Sequence, residues 1–237
     1  MIKARVLRVF TNSDGEYGNP VGIVEDGEAV PDTEHRIAIA AALGYSECAF
    51  VTDTDTASIR MYSAKREVPF AGHAAVGAAW ILGRITGRVP EVLRTTRGDA
   101  PTWVSGSVTW VRSLLSATPP WWHERLPSPA AVEALTGPLM PEQDMTQLWA
   151  WEDEAAGIMR VRTFAARAGT PEDEACGSGA MRMASAFGRT LTLHHGRGSV
   201  IYAKQGPPGY ADIGGLVTED GCRTVEAHDL SLRSGDR

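Results

Sequence analysis

The chain has 237 residues, 43% of them apolar and 22% charged, and a formal net charge of −6. That length can bury a sizeable core, as one large domain or as two of about 110 residues. No Lys/Arg-rich block points to nucleic acid or an anionic membrane, and no apolar run is long enough to span a bilayer.

Met1 to Leu7 enters a strand pattern directly, without the apolar core of a signal peptide, so a cytoplasmic location is expected. Residues 4–10 read as a strand, and Gly18-Asn19-Pro20 is a turn leading to a second strand through Val24. Asp32 and Thr33 can cap a helix over 34–43 that stops at Gly44. Tyr45 to Val51 reads as a strand with Glu47 near its start, and Ile59 to Ala64 as another. Pro69 to Gly72 then turns into an apolar helix that ends near Gly83.

The second half repeats this plan. Ile59-Arg60-Met61-Tyr62-Ser63-Ala64-Lys65 resembles Val161-Arg162-Thr163-Phe164-Ala165-Ala166-Arg167, and each is followed by a Pro-containing turn. A glycine, Gly72 or Gly177, then opens a helix that meets Gly-Arg eleven residues later, at Gly83-Arg84 and Gly188-Arg189. Matched strand, turn, helix and exit point to duplication. We expect two similar α+β domains, 1–100 and 101–237, that face each other. Both repeat helices are apolar nearly all round, which places each inside a curved sheet. The region 117–157 is rich in Pro and Trp, and Trp121, Trp122, Trp149 and Trp151 are expected to pack rather than cage a ligand.

The chemistry centres on Thr170-Pro-Glu-Asp-Glu-Ala-Cys-Gly-Ser-Gly-Ala-Met181, where acidic residues and a cysteine lead into a glycine-rich helix start. Two such helix starts facing one cleft can hold a small carboxylate by backbone N–H groups and dipole, with no metal or basic cluster. Glu47, His73, Asp173 and Cys176 are the titratable residues expected there. Shielded, crowded carboxylates can both take and give a proton near neutral pH, whereas a cysteine at a helix N-terminus is expected to shift toward thiolate. Taken singly, Glu47 also fits a strand-end surface carboxylate, His73 a helix cap and Cys176 a small packed side chain. His194 and His195 carry no expected role, and Cys48 and Cys222 are expected to be inert. Three scattered cysteines without CxxC or His/Cys spacing argue against a disulfide framework or structural zinc. Gly177-x-Gly179-x-x-Arg182 is no dinucleotide fingerprint, because the third glycine is missing and acidic residues precede it.

Several stretches together resemble the PhzF-like proteins, isomerases of phenazine biosynthesis and their relatives within the diaminopimelate epimerase superfamily. They are Val9-Phe-Thr-Asn12, Gly18-Asn-Pro-Val-Gly22, Ser46-Glu-Cys-Ala-Phe-Val51, Glu67-Val-Pro-Phe-Ala-Gly-His-Ala74 and Glu172-Asp-Glu-Ala-Cys-Gly-Ser-Gly-Ala180, with Lys204-Gln205-Gly206 following. The resemblance covers roughly residues 6–215. It implies two pseudo-symmetric domains, each a barrel-like, mostly antiparallel sheet around a central helix, with the site between them. It also implies no metal, no organic cofactor and a homodimer. Glu47 falls where the family's glutamate shuttles a proton across a conjugated carboxylate, and His73 and Asp173 where side chains support that transfer. The resemblance places Asn19, Gly72, Ala74, Gly177, Ser178, Gly179, Gln205 and Gly206 against substrate. Two positions depart from it: the family usually has threonine where Cys176 stands and proline where Glu174 stands. Ala-Cys-Gly-Ser-Gly-Ala is instead similar to the second catalytic cysteine of the epimerase and proline racemase branches, whose first cysteine is replaced here by Ala71. The expected activity is a cofactor-independent isomerase moving a proton and double bond on a small unsaturated carboxylate, in natural-product biosynthesis. The alternatives are a cysteine-dependent epimerase, racemase or dehydratase, and a non-catalytic carboxylate-binding protein.

Overall fold

A computed structural model describes residues 1–166 and 170–226 as a mixed α+β structure, mostly sheet with few helices. In the first half the strands are β1 (Ile2–Thr11), β2 (Asn19–Val24), β3 (Cys48–Asp53), β4 (Ser58–Tyr62), β5 (Glu67–Val68), β6 (Val92–Thr95) and β7 (Gly98–Ser105), with helices α1 (Thr33–Leu43) and α2 (Gly72–Thr86). In the second half they are β8 (Val108–Leu114), β9 (Trp122–Arg125), β10 (Thr146–Asp153), β11 (Ile158–Ala165), β12 (Thr170–Asp173), β13 (Leu191–His195), β14 (Ser199–Gln205) and β15 (Tyr210–Val225), with helices α3 (Pro129–Glu133) and α4 (Gly177–Phe187).

Hydrogen bonds run in the order β1-β2-β3-β4-β6-β7-β8-β15-β14-β13-β11-β10-β9, and β15 returns to pair with β1. Two strands change partners midway. Residues 98–101 of β7 pair with β6 while 102–105 pair with β8, and residues 210–215 of β15 pair with β8 while 216–225 pair with β1. The expected boundary at residue 100 therefore falls inside a continuous strand. α2 packs on β1, β2, β3, β8 and β15, and α4 packs on β14 and β15. The β15–β1 pairing closes β1-β2-β3-β4-β6-β7-β8-β15 into a ring of strands, though not a clear barrel, whereas among the described residues the run β14-β13-β11-β10-β9 ends at an open edge.

The duplication read from the sequence extends to hydrogen bonds. The β3–β4 turn is closed by Thr56 N–H donating to Asp53 Oδ1 at 3.0 Å, and the β10–β11 turn by Ala156 N–H donating to Asp153 Oδ1 at 2.9 Å. The residue ending each turn has positive φ, 54° at Ala57 and 74° at Gly157. Its carbonyl accepts from the strand after the central helix, Arg94 N–H at 3.0 Å and Thr192 N–H at 2.9 Å. Arg60 pairs with Glu67 at 2.9 Å, and Arg162 with Glu172 at 2.6 Å.

Element boundaries differ from the sequence reading in instructive ways. The third strand begins at Cys48, so Glu47 sits in the connection before it. Arg167, at the end of the second repeat strand, lies outside the described residues. α1 is capped as expected, with Asp32 Oδ1 accepting from His35 N–H and Gly44 in the left-handed conformation. α2 does not stop at Gly83 but continues to Thr86, and Gly87 supplies the left-handed cap at φ 82°. Gly83 is small for another reason: the chain folds back, and a Cβ there would meet Val89 Cγ2 at 2.6 Å and Val89 N at 3.1 Å. α2 is buried over its whole first half, as expected. α4 is not apolar all round; Gly177, Gly179, Ala180, Met181, Met183 and Ala184 face the core, and Ser178 and Arg182 face outward.

Gly83→Ala is expected to lower stability by about 1–2 kcal/mol in urea melts, although alanine is the better helix former. A gain in stability would show that Val89 does not crowd this position.

Candidate active site

The two helix starts meet. A Cβ added to Gly72 would lie 3.5 Å from the Gly177 Cα and 2.5 Å from Ile213 Cδ1. Neither helix start has a side-chain cap hydrogen bond. Ala71 and Cys176 occupy the equivalent N-cap positions, both extended, with φ −134° and −90°.

Around this junction the fold assembles four of the expected residues. His73 Nε2 lies 3.6 Å from Glu47 Oε2 and 3.5 Å from Ser46 Oγ; the Glu47 side chain is 25% exposed and the His73 side chain 8%. Asp173 accepts from Asn19 Nδ2 at 2.8 Å and from Ala175 N–H at 3.2 Å. Its pKa is raised, chiefly because burial strips solvent from the carboxylate; the charge of His73 and the Ala175 N–H oppose the shift and Glu47 adds to it. Those influences place Glu47, His73 and Asp173 in one electrostatic neighbourhood.

Cys176 corrects an expectation. Its thiol is raised well above the ordinary value, first by burial and then by the negative charge of Asp173. At 3% exposure, desolvation outweighs the helix dipole, and the group is a thiol rather than a thiolate. Cys48 is likewise buried and pushed up to about 12.

Asn19 and Ser178, expected against substrate, have protein partners. Asn19 Nδ2 also donates to the Ala175 carbonyl at 3.2 Å, so it clamps the loop that carries Asp173. Ser178 Oγ accepts from the Trp121 indole N–H at 2.9 Å and lies 3.6 Å from Cys176 Sγ. Trp121 is held there because Arg182, one turn after Ser178, donates to the carbonyls of Pro119 at 2.6 Å and Thr118 at 2.7 Å. Nothing in the sequence pairs Trp121 with Ser178. Trp149 and Trp151 pack with Phe187 at 5.3 Å centroid separations, as expected of packing aromatics, whereas Trp122 is 61% exposed.

Gln205 and Gly206 fall elsewhere. Gln205 Oε1 lies 3.6 Å from where a Gly188 Cβ would be, at the opposite end of α4 from Cys176, and Gly206 closes a turn with Tyr210. An eleven-residue helix separates them from the cluster by about 16 Å.

Two residues without an expected role support the loop. Glu174 accepts from Ser199 Oγ at 2.8 Å and from Arg197 N–H at 3.0 Å, and Ser199 Oγ accepts from Gly18 N–H at 2.9 Å. His195 Nδ1 donates to the Glu174 carbonyl at 2.9 Å, which leaves Nε2 to accept from Thr163 Oγ1 at 3.0 Å. This neutral tautomer agrees with a pKa lowered by burial to about 3. Gln147, fully buried, donates to Thr163 Oγ1 at 2.9 Å, and its amide presses on Gly179, where a Cβ would meet it at 2.3 Å. Among the described residues no group of three or more His, Cys, Asp or Glu is arranged to hold a metal, and no helix is long and apolar enough to cross a membrane.

A family model described as "Phenazine biosynthesis-like protein" (PhzC-PhzF) matches residues 7–150, and the chain belongs to this family. The Escherichia coli K12 protein YddE, described as an uncharacterized isomerase, is 32% identical over 72 residues, which is 30% of this chain and 24% of YddE. The matched stretch is thus about a quarter of that relative's length. A PhzF-family phenazine biosynthesis protein of Bacillus anthracis superposes with a TM-score of 0.73 at 19% identity, covering 95% of this chain and 99% of that one. A hydroxyproline epimerase of Agrobacterium vitis, solved with trans-4-hydroxy-L-proline, gives a TM-score of 0.57 at 12% identity, covering 97% and 94%. The structural likenesses establish the fold these proteins share.

The thiol and imidazole assignments have measurable consequences. At about pH 8, iodoacetamide is expected to label the exposed Cys222 and to spare Cys48 and Cys176 in the folded protein, as read by peptide mass spectrometry. Equal labelling of Cys176 would show an accessible thiolate. His195 binds a proton at 6.5 in an unfolded chain and only near 3 when folded, so stability is lost as pH falls from 6.5 toward about 3. His195→Gln is expected to flatten that slope relative to the parent in urea melts across the range; an unchanged slope would mean His195 is protonated in the fold.

Proposed function

We propose that this chain is a cofactor-independent isomerase that moves a proton, and with it a double bond, on a small unsaturated carboxylate. The observation that carries the reading is the abutment of the Gly72 and Gly177 helix starts beside Glu47, His73 and Asp173. The substrate carboxylate sits on backbone N–H groups at Gly72, Ala74, Gly177 and Gly179, where two positive dipole ends favour an anion. The Glu47 carboxylate takes a proton from a substrate carbon, the freed electron pair moves into the conjugated system, and Glu47 returns the proton at another carbon. His73, 3.6 Å away, steadies the charge on Glu47. Asp173, held by Asn19, binds a polar substrate group. Proton transfer of this kind contributes about a hundred- to ten-thousand-fold. Residues 1–100 and 101–237 act as the two halves that enclose the site, and the substrate is an intermediate of natural-product biosynthesis, for which a cyclic diene or pyrroline carboxylate has suitable chemistry.

A second reading is favoured by one observation: Cys176 stands at the α4 N-cap beside the junction. In that reading its thiol exchanges the α-proton of an amino or imino acid, as in an epimerase or dehydratase. Ala71 at the matching α2 position leaves no second thiol for a two-cysteine racemase, so Glu47 would be the partner base.

Incubation in D₂O with a panel of unsaturated and cyclic amino-acid carboxylates separates the two. Glu47→Gln is expected to reduce deuterium uptake by about a hundredfold or more with folding intact, and Cys176→Ala to retain most of it. Loss of uptake only in Cys176→Ala would transfer the chemistry to the thiol. Ligand binding without any uptake in the parent would leave a carboxylate-binding protein.

A further inference from the structure

A well-formed cavity lies away from the Gly72–Gly177 junction. It holds about 520 Å³ and lies at the other end of α2, where Trp80, Gly83, Arg84 and Gly87 meet the Thr11–Gly15 turn, the β7–β8 hairpin and residues 216–218 of β15. α2 rises about 1.5 Å per residue, so this cavity is some 20 Å from the Gly72 end. Its volume is in the range of small-molecule sites.

Its lining is selective in charge. Arg84 and Arg88 line it and no Asp or Glu does, although the protein as a whole is acidic. The Arg84 guanidinium lies 5.4 Å from the Trp80 ring and has no carboxylate partner among the described residues. Arg88 has only a 3.7 Å pair with Glu91, with both side chains at least 80% exposed, a contact worth little in water. An independent sign comes from Thr11, which lines the same cavity. It is 1% exposed, yet its hydroxyl has no hydrogen-bond partner in the protein. A buried hydroxyl left without a partner is costly unless something else supplies one. Val89, Val104 and Leu216 add apolar wall beside the indole.

We infer that this cavity is a second ligand site, separate from the helix junction, for a small organic anion with a flat apolar body. The anionic end pairs with Arg84 and Arg88, and the flat body lies along Trp80. The negative dipole end of α2 opposes an anion here, so recognition depends on the guanidinium groups. This inference does not depend on the isomerase reading.

The test uses benzoate as the probe and the intact chain labelled with ¹⁵N at its seven tryptophan indoles. Trp80 reports this cavity, and Trp121, bonded to Ser178, reports the helix junction. Trp80→Phe and Trp121→Phe assign the two resonances. Benzoate is expected to move the Trp80 resonance saturably with a dissociation constant on the order of millimolar, and Arg84→Gln or the exposed Arg88→Gln to weaken it about tenfold. Benzyl alcohol, neutral and of similar shape, is expected to leave Trp80 unmoved. The inference is overturned if Trp80 does not respond up to about 20 mM benzoate, or if benzyl alcohol moves it equally. It is equally overturned if neither arginine substitution changes the response, or if only Trp121 moves, which would place the anion at the helix junction alone.

Discussion

Everything in the candidate active site depends on two helix N-termini being allowed to touch. A Cβ on Gly72 would reach van der Waals contact with the Gly177 Cα, at 3.5 Å, so the two helix starts are close neighbours, with Ile213 packed against both. A Cβ at Gly72 would displace Ile213, and one at Gly177 would crowd Ile213 and Phe10. Bringing two positive dipole ends together is unfavourable unless negative charge lies nearby, since each end carries about half a unit of charge. The carboxylates of Glu47 and Asp173 stand near that junction. The same arrangement that tolerates the helix contact is the basis of the proposed anion site.

Holding that geometry is the task of residues that are not themselves at the junction. The loop from Asp173 to Cys176 is tied from three directions. Asn19 of β2 grips Asp173 and the Ala175 carbonyl. Ser199 and Arg197 grip the Glu174 carboxylate, and His195 grips its carbonyl. Beneath it, Gln147 fills the space that Gly179 leaves open. On the outer face the Trp121–Ser178 and Arg182 contacts fasten the segment after β8 to α4. Glu174 thus fastens the loop through hydrogen bonds from both its side chain and its carbonyl.

The duplication sharpens the reading of Cys176. Both helices begin in the same way, yet one N-cap is Ala71 and the other Cys176. The thiol faces a carboxylate and little water, a setting that keeps its proton on sulfur. Its hydroxyl neighbour Ser178 already accepts from Trp121, so the hydroxyl proton is free to point toward sulfur. Glu47, by contrast, keeps access to solvent, with its side chain 25% exposed.

Local sequence determined the strands, the α1 caps, the repeated strand–turn–helix unit and the identity of Glu47, His73, Asp173 and Cys176, because turn chemistry, helix capping and apolar period act over a few residues. It also spelled the family, through ordered motifs that need no knowledge of distance. What it could not determine were effects set by neighbours far along the chain. Gly83 reads as a helix stop but is small because Val89 returns onto it. Cys176 reads as a dipole-activated thiol but is desolvated by a fold that buries it beside Asp173. Gln205 reads as a site residue, yet β14 carries it to the far end of α4. Trp121 reads as one packing aromatic among several and becomes a site residue only because Arg182 draws its segment across the helix. Residue type and short spacing fix which groups are available; burial and long-range pairing, which only tertiary structure supplies, decide what each of them does.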